Sequence, residues 1–136
     1  MMRIEEFLSD RISLAVDHGV AFEQLLLDPG PDLGKTPAQT VEALRSLDRL
    51  HQIGRPLLLA VSRKDFVGAL TSRRPRARLA GTLAAVAHGV DHGAHMLRVH
   101  DVGDVVDFLS VRAALNGQMD VDSELRLADE LRWEQG

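Results

Sequence analysis

The stretch Leu57–Lys64, LLLAVSRK, decides the fold. Apolar residues run unbroken from Leu57 to Val61 and stop abruptly at Ser62-Arg63-Lys64. A short continuous apolar run bounded by polar residues reads as a strand covered on both faces, as in a parallel sheet. Upstream, Leu25-Leu26-Leu27 ends in the same way at Asp28-Pro29-Gly30, and downstream Ala94 to Val99 runs into His100-Asp101. The intervening segments have helical spacing. Ile4, Phe7, Leu8, Ile12, Ala15 and Val16 lie on one face of a helix over 3–18 that stops at Gly19. Thr36-Pro37-Ala38-Gln39 combines a capping box with proline at the first helical position, and Val41, Leu44, Leu47 and Leu50 carry that helix to Gly54. The stretch 78–90 is rich in Ala and Gly, which predicts a helix packed closely on the sheet and ending near Gly93. A fourth helix is expected over 104–115, with Gly117 as its stop.

The expected order is αβαβαβα with three parallel strands, joined by right-handed crossovers. Residues 1–118 form this α/β region, and 119–136 form an acidic tail with six acids and two arginines. A weak amphipathic helix is expected in the tail through Leu125, Ala128 and Leu131. Three strands leave two sheet edges unpaired, and a closed (β/α)8 barrel takes roughly 250 residues. The pattern reads as half of something larger.

Composition narrows the functional classes. The 136 residues carry 16 Lys+Arg against 20 Asp+Glu, a net charge of −4, and no cysteine. A disulfide framework, a thiolate zinc site and a cysteine nucleophile are excluded. No apolar run approaches the roughly 18 residues that span a bilayer, and the start shows no targeting pattern, so a cytoplasmic protein without a membrane partner is expected. Net acidity and an aromatic share of 4% argue against a nucleic-acid partner. The arginines between Ser72 and Arg78 therefore read as a solvated loop or a partner-facing surface.

In parallel α/β folds the chemistry sits where the strands end. Arg98 and His100, two apart on a strand, share one face, and Lys64 ends the preceding strand. Together they offer up to three cations to a phosphate or diphosphate, while Asp28 offers an acceptor to an N–H-rich heterocycle. Two rival motifs are weaker. Gly30 to Thr36 nearly spells a phosphate-binding P-loop, but three residues separate its glycines where four are needed, and Pro31 removes a backbone donor. His88 and His92 stand four apart on a helix, but no carboxylate motif accompanies them and His95 lies beyond Gly93, so no metal site is expected there.

LLLDPGPDLGKT, LLLAVSRKDFVGAL, RLAGTLAAVAHG and MLRVHDV, in this order and spacing, resemble the C-terminal half of the dihydropteroate synthase family. That resemblance implies a (β/α)8 barrel and a transferase of folate biosynthesis. Such an enzyme condenses 6-hydroxymethyl-7,8-dihydropterin diphosphate with p-aminobenzoate and releases diphosphate. By resemblance Asp28 would bind the pterin ring and Lys64 its carbonyl side. Arg98 would stack on the pterin and reach the diphosphate, with His100 as its partner. Lys64, Arg98 and His100 are thus the expected catalytic residues, since positioned cations stabilise the charge gathering on a leaving diphosphate. Asp28, Lys64, Asp65, Arg98 and His100 are the expected substrate contacts.

The chain departs from the family pattern at two places. Asp65 stands where a serine usually helps to hold the p-aminobenzoate carboxylate, and Asp32-Leu33 replaces an aromatic-bearing pair in the first loop. These differences define the alternative, a pterin- or diphosphate-binding paralogue without synthase activity. Mg²⁺ is the implied cofactor, with its protein ligand expected in the N-terminal half of the family's barrel. This stretch alone is expected to be inactive, and either a homo-oligomer or an N-terminal half is the expected partner.

Overall fold

The computed structural model describes residues 1–133. It divides into two compact units, Met1–Val102 and a second that begins at Gly103.

The first unit is α/β. Helix α1, Met2–Asp17, buries Leu8 and is ended by Gly19 at φ 90°. Helix α2, Pro37–Arg45, forms with the expected capping box: Thr36 Oγ1 accepts from the Gln39 N–H at 3.3 Å, and Gln39 Oε1 accepts from the Thr36 N–H at 2.9 Å. It is shorter than expected. Ser46 Oγ donates to the Glu42 carbonyl, and the chain tightens into a 3-10 helix, Leu47–Ile53, before Gly54 turns it at φ 76°. The apolar side of that 3-10 helix is nonetheless deep core, with Leu47 and Leu50 fully buried.

Strands β1, Leu58–Leu59, and β2, Met96–Leu97, pair in parallel with Leu58 opposite Met96 and Leu59 opposite Leu97. The first of the three expected strands reduces to one parallel bridge, Leu27 to Leu57. Only Leu27 has both backbone groups in the ladder, donating to the Pro56 carbonyl and accepting from the Leu58 N–H. Leu25 gives its N–H to the Phe22 carbonyl and its own carbonyl to Arg55 Nε, so its pairing capacity is used locally. β2 is trimmed for a similar reason. The Ala94 N–H closes the end of the preceding helix on Gly89, and the His100 N–H goes to the Ser62 hydroxyl instead of a strand.

Helix α3, Asp65–Thr71, lies in a stretch to which the sequence reading assigned no element. It buries Phe66 and Val67. Helix α4, Leu79–Asp91, follows and packs closely, as its small residues predict. A Cβ at Gly89 would lie 2.1 Å from Leu59 Cδ2, and one at Gly81 2.4 Å from Val67 Cγ1. Leu57, Leu59, Val61 and Val86 complete the buried centre.

Helix α5, Val102–Leu115, belongs to the second unit from Gly103 onward and gives way to Gly117 at φ 67°. The helix expected through Leu125, Ala128 and Leu131 is absent among the described residues, which form one 3-10 turn, Asp129–Leu131. Arg126 and Arg132 donate to nearby carbonyls of Ser123, Leu125 and Leu127, holding the segment in local turns. Residues 134–136 of the expected tail lie outside the described residues.

Candidate functional site

Parallel pairing sends the chain out of β1 and β2 on the same side, and both following loops bring their polar residues there. Lys64, Arg98 and His100 line one pocket of about 120 Å³, together with Ala60, Ser62 and Val99. Among the described residues, Lys64 Nζ and the Arg98 guanidinium have no hydrogen-bond or ion-pair partner. Two uncommitted cations thus stand beside an imidazole at one mouth.

The loops are held in register by groups that no local motif announced. Ser62 is buried, and its hydroxyl accepts the His100 N–H at 3.1 Å and lies 3.0 Å from His100 Nδ1. The Arg63 guanidinium forms a two-point pair with the Asp101 carboxylate, its Nε donating at 3.0 Å. That hydrogen bonding, and secondarily the charge of Arg63, holds the Asp101 carboxyl below the ordinary carboxylate range; Asp101 in turn raises Arg63. The pair brackets Lys64 and His100, each a sequence neighbour of one partner. Arg63 itself sits at φ 57°, where its N–H reaches the buried Thr82 Oγ1 at 3.0 Å.

Arg78, read from sequence as part of a solvated loop or a partner-facing surface, is largely enclosed. Its guanidinium donates to the carbonyls of Arg63, Lys64 and Arg73 and to Asp65 Oδ1 at 2.9 Å. Asp65 is therefore paired with a cation while remaining mostly exposed. The other departure from the family pattern meets it directly. Asp32, at φ 61°, accepts the N–H groups of Asp65 at 2.5 Å and Phe66 at 3.3 Å, and its second oxygen accepts from buried Thr40. Asp32 thus caps α3 from 33 positions upstream, and that cap explains why the helix was invisible to a local reading.

Asp28 does not line the cationic pocket. Its Oδ1 accepts the Gly30 N–H at 2.7 Å, and it lines a larger pocket of about 570 Å³ with residues of α1, α2 and the loop between Gly30 and Lys35. Lys35 Nζ donates to the Gly30 and Leu33 carbonyls, so the near-miss P-loop turns its lysine onto its own backbone. The histidines follow the same economy. His88 Nε2 meets the Leu44 carbonyl at 2.9 Å, His92 Nδ1 meets the His88 carbonyl at 2.8 Å, and the two rings stack 4.0 Å apart. Among the described residues no group of three His, Cys, Asp or Glu could hold a metal ion.

Polar loops gathered at the ends of parallel strands define a class, the α/β proteins whose functional residues lie where the strands finish. Comparison makes the assignment specific: a profile of the pterin binding enzyme family matches residues 1–100, and the chain belongs to that family. Dihydropteroate synthase of Synechocystis is 38% identical over 113 residues, covering 82% of this chain and 39% of that protein. The Escherichia coli enzyme is 36% identical over 108 residues, covering 79% and 38%. Among solved structures, dihydropteroate synthase from Xanthomonas albilineans in complex with 7,8-dihydropteroate aligns with a TM-score of 0.81 at 41% identity, covering 85% of this chain and 44% of that one. The Yersinia pestis enzyme aligns with a TM-score of 0.81 at 36% identity, covering 86% and 55%. The chain therefore spans about two-fifths of the length of these curated relatives. No helix among the described residues is long and apolar enough to cross a membrane.

Proposed function

We propose that this chain contributes the diphosphate side of a dihydropteroate synthase-like transferase of folate biosynthesis. The observation that carries the reading is the gathering of Lys64, Arg98 and His100 in one pocket at the strand ends of a pterin-binding-family chain. In the reaction, the amine nitrogen of p-aminobenzoate attacks the methylene carbon of the pterin diphosphate. The C–O bond breaks, its electron pair leaves with the diphosphate, and the new bond's nitrogen sheds one proton. The cations act on the leaving group, where negative charge accumulates, and an arylamine needs no strong base. Asp28 is assigned to the pterin ring by resemblance, and its second oxygen has no partner among the described residues.

Mg²⁺ finds no donor set here, because the pocket's charged groups are cations. Its ligand is assigned by resemblance to the part of the relatives that this chain does not span, and no step is derived through it. The partner, a homo-oligomer or an N-terminal half, stands on the same footing, as does a cytoplasmic location. Light scattering of the chain alone tests the first: a monodisperse monomer at micromolar concentration counts against it.

The alternative, a pterin- or diphosphate-binding paralogue without synthase activity, is favoured by one arrangement. Asp65 presents a carboxylate, and Asp32 already holds the N–H groups beside it. Titration calorimetry with pterin diphosphate separates the readings from the outset. Saturable heat that is lost in Arg98→Ala supports the diphosphate site, and silence in both proteins refutes it. Once binding is seen, Asp65→Ser in a full-length context decides between synthase and paralogue: a gain in p-aminobenzoate use supports the transferase, and no gain supports the binding module.

A further inference from the structure

The Ser62–His100 contact carries an assignment that the pocket alone does not. Ser62 has one hydroxyl proton, its oxygen already accepts the His100 backbone N–H, and among the described residues it touches no other hydrogen-bond partner than His100. Two proton arrangements fit its 3.0 Å approach to His100 Nδ1. If Nδ1 carries the proton, Ser62 accepts twice from the same residue and its own O–H is left without an acceptor in a buried place. If Nδ1 is bare, the hydroxyl donates to it and every group is satisfied.

We propose that Ser62 is a positioning residue that fixes His100 in the tautomer protonated at Nε2. The ring nitrogen on the far side from Ser62 then presents an N–H, and His100 lines the pocket beside Lys64 and Arg98. A neutral imidazole in this state donates to an anionic oxygen. The opposite tautomer would turn a lone pair towards the same oxygen and repel it. In this tautomer the histidine offers the pocket a hydrogen-bond donor, its other nitrogen being engaged by Ser62. Because Ser62 leaves β1 and His100 leaves β2, one hydroxyl ties the chemistry of the second loop to the position of the first. The anion-binding half of this statement rests on the proposed diphosphate role of His100; the tautomer does not.

The test is a long-range ¹H–¹⁵N spectrum of the ¹⁵N-histidine-labelled full chain at about pH 8, where an ordinary imidazole is neutral. The His100 signals are identified by their loss in His100→Gln. The expected result is the Nε2–H pattern in the wild type, a mixed or reversed pattern in Ser62→Ala, and its return in Ser62→Thr. An Nδ1–H pattern in the wild type, or an unchanged pattern in Ser62→Ala, overturns the proposal. The wild-type spectrum alone decides if Ser62→Ala does not fold. Titration of inorganic diphosphate into the same samples should show a Kd roughly fivefold weaker in Ser62→Ala and restored in Ser62→Thr, the scale of one charge-assisted hydrogen bond. A shifted tautomer with unchanged diphosphate affinity upholds the role of Ser62 and removes His100 from the diphosphate site.

Discussion

The two ends of the β1–β2 pair use the same kinds of residue in opposite ways. At the N-terminal ends, four histidines are committed to the fold. His51 Nε2 meets the His92 carbonyl, His88 and His92 reach carbonyls of Leu44 and His88, and His95 Nδ1 accepts the Leu57 N–H at 3.2 Å. At the C-terminal ends, the Lys64 ammonium and the Arg98 guanidinium have no partner among the described residues, and the His100 ring is anchored through Nδ1 alone. A polar group that is satisfied internally stabilises; one that is held in place but left unsatisfied is available to a ligand. The residue type says little, and the partner list decides.

The sharpest way to break this contrast is Gly93→Ala. A Cβ there would lie 2.1 Å from His51 Nε2, and Gly93 sits at φ 79°. Overpacking and the left-handed backbone together should cost about 3 kcal/mol, read as a fall in urea midpoint. A stability within error of the wild type would show that the histidine seam is not structural. Arg98→Ala should do the reverse. Diphosphate affinity should fall at least about tenfold, about 1.4 kcal/mol, with the melting temperature unchanged. A large loss of stability there would erase the distinction between the two ends.

Thr36→Ala removes one side of the α2 capping box and should cost about 1 kcal/mol in chemical denaturation, with diphosphate binding intact. The smallest effect concerns acid. Asp101 is held below the usual carboxylate range by Arg63, so the native state favours the charged form. The stability this gives is present above the ordinary carboxyl pKa, near 4, and drains away as pH falls through the depressed value. Asp101→Asn should therefore flatten the acid limb of the stability curve below about pH 4 and leave its neutral plateau shape unaltered. An unchanged acid limb would mean that the Arg63 pair contributes nothing to folding.

Sequence legibility followed the distance over which each signal acts. The Thr36 cap, the Gly19 and Gly117 stops and the close-packed Ala/Gly helix were readable because each depends on residues within a few positions. So was the meeting of Lys64, Arg98 and His100, since parallel strands deliver their ends to one side. The first of the expected strands failed because Leu25 bonds to Phe22 and Arg55 and has no group left for the ladder. Helix α3 escaped because its cap arrives from Asp32, and Arg78 was read as part of a solvated loop or a partner-facing surface because its partners lie in the β1 loop. Asp28 was expected at the cationic mouth but lines the larger pocket, since strand-end position fixes a side of the sheet and not which cavity a loop residue enters.

The Asp32 cap also has a consequence for how the chain assembles. A helix of seven residues has too few hydrogen bonds to persist alone, and α3 begins on donors that only Asp32 satisfies. Its formation waits on the arrival of the 28–36 loop, which is itself held through Thr40 on α2. Loop, α2 and the start of α3 thus open and close as one cooperative unit, and the Asp65 and Phe66 amides should exchange with solvent at the rate at which that unit opens.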